Sequence, residues 1–183
     1  MGLLLIAGLF IVYLKSNLNN SFEESEIKDL VSEIKLARNL PNGFITAYNL
    51  IHPITSTTNI ILDWIFEKGS RTCPCLDVAS VSRNLTLKNS RITGNRYALA
   101  WKLEKQLSQR ECLNYLGTKY DLLYQCIGLE EASKYYFNQE LDFLSNKQFV
   151  VLALMMQNPS YYNPKRNPEI IEEKLKDFGF TSN

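Results

Sequence analysis

The feature that most constrains this chain is the apolar block Phe149-Val150-Val151-Leu152-Ala153-Leu154-Met155-Met156. It is far shorter than the roughly 20 residues a membrane span requires, and its Leu, Ala and Met content favours helix over strand. The spacing predicts a helix buried on all sides, at the centre of a globular and mostly α domain. Ser145 precedes it and Gln148 follows three residues later, the pattern of a capping box. Asn158-Pro159 ends it, because the residue before a proline is pushed out of the helical region. A turn-rich exit then runs from Ser160 to Glu169.

The rest of the chain is consistent with one domain having a real core, at 183 residues. Twenty basic against 19 acidic residues force no strongly basic face, so nucleic acid is not an expected partner. Residues 1–15 are mostly apolar and end at Lys15. They are read as a signal-anchor holding the domain on the outer, periplasmic face of a bacterial inner membrane. Residues 16–25 would be linker, and 26–183 the domain. Ile27, Leu30, Val31, Ile34 and Leu36 fit an amphipathic helix from Glu26 to Arg38, broken at Asn39–Gly43. A further helix opens at Thr57 or Thr58 and runs through Ile60, Ile61, Trp64 and Ile65 to Gly69.

Several fragments, taken in order, resemble the family 51 glycosyltransferases. These are the peptidoglycan glycosyltransferases of bifunctional penicillin-binding proteins and monofunctional transglycosylases. Pro159-Ser160-Tyr161-Tyr162-Asn163-Pro164 with Arg166-Asn167-Pro168-Glu169 is similar to that family's Pro-Ser-x-Tyr-x-Pro and Arg-Asn-Pro-Glu exit. Leu107-Ser108-Gln109-Arg110-Glu111 with Tyr115-Leu116 resembles its Leu-Ser-Lys-x-Glu helix. Gly128-Leu129-Glu130-Glu131-Ala132-Ser133 with Tyr136-Phe137 resembles its Tyr-Gly-Val-x-Ala-Ala-Ser segment. The resemblance runs from Leu40 to Phe178 and implies a lysozyme-like fold. It also implies work on lipid-linked peptidoglycan precursor or glycan strands at the membrane, with cell-wall synthesis proteins as further candidate partners. No cofactor is expected.

The same resemblance marks where the chemistry should lie. The family's first glutamate, a general base that deprotonates an attacking sugar hydroxyl, falls at His52 by counting from Pro41. Histidine can act as a base near neutral pH, although one in an apolar context is more often structural. The glycine-rich loop that binds the diphosphate aligns with Cys73 to Leu85, where only Arg83-Asn84-Leu85 matches. Arg83 would face a phosphate, with Asn84 beside it. The second glutamate falls at Arg96, a reversal of charge that cannot accept a proton but can contact a phosphate. Glu67 and Glu104 are the carboxylates that would rescue an enzyme.

Cys73, Cys75, Cys112 and Cys126 leave pairing open. Cys73 or Cys75 could bond Cys112 or Cys126 under oxidising conditions, and a zinc site with His52 is conceivable. Metal pairs more often space as Cys-x2-Cys, so no metal is expected. Two functions follow. One is a degenerate relative that binds precursor, glycan or a partner protein without catalysis. The other is an active, divergent glycosyltransferase with His52 as base and Arg83 and Arg96 on the diphosphate.

Overall fold

In a computed structural model, residues 22–66, 69, 71–85 and 95–180 are described, with positions 8, 9, 12, 13 and 15; side chains of 83–85 are not. Most of the expected anchor and linker, and Glu67, therefore lie outside the described residues. Among those described the protein is mostly helical, with two isolated bridges, Ile54–Thr72 and Asp121–Ile127, and no strand. No described helix is long and apolar enough to cross a membrane. The chain divides into two compact units, Met1–Ala37 with Ile54–Tyr115, and Arg38–Pro53 with Leu116–Asn183.

The first unit contains α1 (Glu24–Lys35), α3 (Thr57–Ile65), α4 (Pro74–Leu85), α5 (Arg96–Glu104) and most of α6 (Gln109–Lys119). α1 buries Ile27, Leu30, Val31 and Ile34, as its spacing predicts. Leu36 does not join them. The helix stops at Lys35, and Leu36, as its C-cap, is 85% exposed. α3 is capped by Ser56, whose side chain accepts the Asn59 N–H. It ends at Ile65, with Phe66 as its C-cap, rather than at Gly69, and its outer side is apolar: Trp64 is 83% and Phe66 65% exposed, with Leu62 and Ile65 also open. Asp63, on the same helix, is buried and takes both guanidinium arms of Arg71. A disulfide between Cys75 and Cys112 joins α4 to α6, which fixes the pairing among the alternatives the sequence allows. Cys73 and Cys126 are free and buried. With two of the four thiols bonded to each other, the conceivable zinc set has lost half its sulfur ligands. No group of metal-ligating side chains is found among the described residues.

The second unit holds α2 (Asn42–Ile51), α7 (Leu129–Phe137), α8 (Asn146–Gln157) and α9 (Pro168–Asp177). α8 is the expected central helix. Phe149 to Met156 are all buried, and the Ser145–Gln148 capping box forms in both directions. Asn158 then turns to extended backbone ahead of Pro159. α2 lies along α8 at close range because Gly43 has no side chain; a Cβ there would stand 2.6 Å from the Phe149 ring. Phe44, fully buried, meets Phe149 edge-on. The exit loop is folded around Asn163, also fully buried. Its amide donates to the Tyr136 hydroxyl, and its carbonyl oxygen accepts from the Lys165 and Arg166 backbone N–H groups.

Candidate functional site

His52 ends α2 and is 8% exposed. Its ring lies against Tyr48, and Nε2–H donates to the Ala153 carbonyl of α8 at 3.0 Å. Burial pushes its pKa below the usual histidine value, and the bond to Ala153 offsets that only in part. The ring is therefore held neutral with its proton on the nitrogen that faces the core.

Arg96 opens α5 in the first unit, after Asn95 caps the helix by accepting the Tyr97 N–H. Its side chain is exposed and lies over the Tyr97 ring, with a guanidinium N–H 3.1 Å from the Tyr97 hydroxyl. α4 and α5 pack against each other, and this brings the Arg96 charge within electrostatic reach of Asp77. Asp77, in the first turn of α4, is open to water yet set down among protein atoms. Burial pushes its pKa up to about 6, while the positive charge of Arg96 works the other way. Arg83 and Asn84 belong to the same helix, with side chains outside the described residues.

Asp77 is a candidate that the sequence reading does not single out. Its signal is that it is the one carboxylate in the stretch from Cys73 to Leu85. Of the two glutamates that could rescue an enzyme, Glu67 lies outside the described residues and Glu104 is engaged through one of its oxygens. Glu104 Oε1 accepts from the Thr57 N–H at 2.7 Å, the Thr57 hydroxyl at 3.0 Å, the Gln109 amide at 2.7 Å and the Cys73 thiol at 3.4 Å. So crowded an oxygen braces the start of α3 and the loop into α6. Burial raises the neighbouring Cys73 thiol to about 11, so it stays protonated.

The transglycosylase family model matches residues 80–178, more than half of the chain. The chain belongs to the transglycosylase family. Among curated relatives, it is 28% identical over 170 residues to penicillin-binding protein 1A of Clostridium botulinum (strain Langeland), covering 83% of this chain and 21% of that protein. It is 32% identical over 90 residues to the biosynthetic peptidoglycan transglycosylase of Acinetobacter baylyi, covering 48% of this chain and 40% of that one. A third relative is penicillin-binding protein 1B of Haemophilus influenzae, 38% identical over 73 residues, or 39% of this chain and 9% of the relative. The chain thus spans from about a tenth to two fifths of the length of these relatives. As a transglycosylase-family domain, it carries Arg83, Asn84 and Arg96 inside the matched span, and His52 and Asp77 outside it.

Proposed function

We propose that this transglycosylase-family chain serves cell-wall synthesis by binding lipid-linked peptidoglycan precursor, glycan or a partner protein without polymerising precursor. The observation that carries this reading is the His52 ring, buried and bonded through Nε2 to the Ala153 carbonyl. A general base must reach the proton it abstracts, at about 2.6–3.2 Å, and a ring only 8% exposed and packed on Tyr48 gives a ligand little access to its other nitrogen. The exposed Arg96, where the resemblance would put the second family glutamate, suits a diphosphate oxygen and not proton transfer. Trp64 and Phe66, exposed with Leu62 and Ile65 around the end of α3, support work at a membrane surface. The Cys75–Cys112 disulfide supports a place outside the reducing cytoplasm.

Asp77 favours a second reading, an active enzyme whose carboxylate has moved from α5 to α4. A water-accessible acid held near pH 6 beside a guanidinium is suitably poised for proton transfer. The deciding experiment is polymerisation of labelled lipid-linked disaccharide by the detergent-solubilised protein, with His52→Gln and Asp77→Asn alongside. The binding reading expects no glycan product and measurable precursor binding in all three. Product that disappears in Asp77→Asn alone would establish the enzyme.

A further inference from the structure

Three of the four sulfurs gather at one place in the first unit. Cys73 stands immediately before α4, Cys75 is the second residue of that helix, and Cys112 lies in α6 with its Cα 5.0 Å from that of Cys75. Cys73 is 2% exposed, and Cys75 and Cys112 are fully buried, so dissolved thiols gain little access to the bridge. The sulfur that competes for Cys112 is the chain's own Cys73. Its position would ordinarily make it reactive, since the start of a helix favours a thiolate and the thiolate is what attacks a disulfide. Such an attack is self-contained. A bond forms between Cys73 and Cys112, the Cys75–Cys112 bond breaks, and Cys75 leaves as a thiolate that takes up the proton Cys73 gave away. No outside oxidant or reductant is consumed.

The surroundings of the Cys73 sulfur oppose this. Its thiol donates to Glu104 Oε1 at 3.4 Å and faces Gln109 Oε1 at 3.6 Å. The Gln109 amide is not free to turn and offer an N–H instead. Its Nε2 donates to Glu104 Oε1 at 2.7 Å, and its Oε1 accepts the Cys75 N–H at 3.0 Å. Both ends of the amide are thereby assigned, and an oxygen is what faces the sulfur. Glu104 is fixed in turn by the Thr57 N–H and hydroxyl. A thiolate would stand against a carboxylate and an amide oxygen with no proton between them. Burial acts in the same direction and pushes the thiol up to about 11, and the Glu104 charge adds to it, while the Thr57 hydroxyl and the Leu76 N–H pull the other way. Because one Gln109 oxygen meets both the Cys73 thiol and the Cys75 main chain, the group that restrains the thiol also sits on the bridged residue.

We propose that Glu104 and Gln109 form a guard that keeps Cys73 a hydrogen-bonded thiol and so stops the Cys75–Cys112 bond from passing to Cys73. The amino-acid sequence leaves Cys73 and Cys75 equal candidates for Cys112, and the guard is what separates them. The choice matters to α4, which carries Asp77, Arg83 and Asn84. A bridge at Cys75 ties the helix itself to α6, whereas one at Cys73 would tie the residue ahead of it. Glu104 and Gln109 act here as positioning residues, independently of whether the chain is an enzyme or a binding protein.

The test uses the full chain carrying Cys126→Ser, which leaves Cys73 as its free thiol. Ultraviolet thiolate absorbance is followed as pH rises. After incubation at pH 9 the protein is quenched in acid, unfolded and alkylated, and tandem mass spectrometry identifies which cysteine was free. This parent should show almost no thiolate at pH 9 and an intact Cys75–Cys112 bridge. Glu104→Gln keeps the shape and removes the charge. It should lower the titration by about one pH unit and free Cys75 about threefold faster, because about tenfold more thiolate attacks with somewhat lower nucleophilicity. Adding Cys73→Ser to that variant should return the bridge to its parental stability. Should Glu104→Gln fail to fold, Glu104→Asp, which draws the oxygen back from the sulfur, takes its place with the same expected direction. Transfer of the bridge in the parent at pH 9 would overturn the guard whatever the variants do. So would a folded Glu104 variant that titrates and exchanges like the parent, or one whose thiol titrates earlier while the bridge stays put.

Discussion

His52, in the second unit, and Arg96, in the first, occupy surroundings of opposite kind, although the resemblance in sequence would put a carboxylate at each. His52 is packed on Tyr48 and tied through Nε2 to the backbone of α8, within the core. Arg96 is exposed, lies over Tyr97, and shares its electrostatic neighbourhood with Asp77. The first position has become part of what holds a helix pair together. The second still faces solvent, with charge available to a ligand. The two positions thus differ physically, and only the second leaves a charge open to solvent.

The comparison can be broken most sharply by placing a carboxylate at each position. His52→Glu should cost about 3–5 kcal/mol, because it would bury an unpaired charge facing the Ala153 carbonyl. Urea denaturation at pH 7.5 measures this, and wild-type stability would show position 52 to be open to water. Titration gives a second handle. Since the folded pKa of His52 is lowered, the unfolded chain takes up its proton first as pH falls. The contribution is present above about pH 6.5 and is lost as pH drops through the folded value. Asp77 has the opposite sign: its contribution is complete below its unfolded value of 3.8 and lost as pH rises through about 6. Denaturation midpoints across pH 4–8 should therefore lose their acid-side decline in His52→Gln and gain stability near neutrality in Asp77→Asn. The smallest effect is expected from Arg96→Glu, within about 0.5 kcal/mol of the parent because the side chain is exposed. It should nonetheless move the Asp77 carboxyl titration, followed by NMR, to higher pH, since an attracting charge becomes a repelling one.

α8 is legible in the amino-acid sequence because three independent signals agree: an apolar run, a Ser145–Gln148 cap and a proline stop. The turn-rich exit is legible for the same reason. The orientation of His52 is not, since an apolar neighbourhood does not reveal whether a ring turns towards a cleft or a carbonyl. Nor is the exposure of Trp64, because helical periodicity identifies an apolar side without saying whether anything covers it. Asp77 is obscured because the resemblance pairs its segment with a glycine-rich loop that it matches only at Arg83-Asn84-Leu85, which directs attention to those residues. The turn at Leu123–Gln125 carries no Gly or Asn to announce it, and left-handed backbone at ordinary residues, costing about 1–2 kcal/mol each, is set by tertiary contacts alone.

The Cys75–Cys112 bridge also bears on how damage to this protein would be seen. It closes a loop that carries α5 and most of α4, together with Arg83, Asn84 and Arg96. A protease that cut once between those cysteines would leave two polypeptides still joined by sulfur. Such a molecule would run as one band without reductant and as two with it, so clipping inside the loop would go unnoticed in any preparation checked under non-reducing conditions.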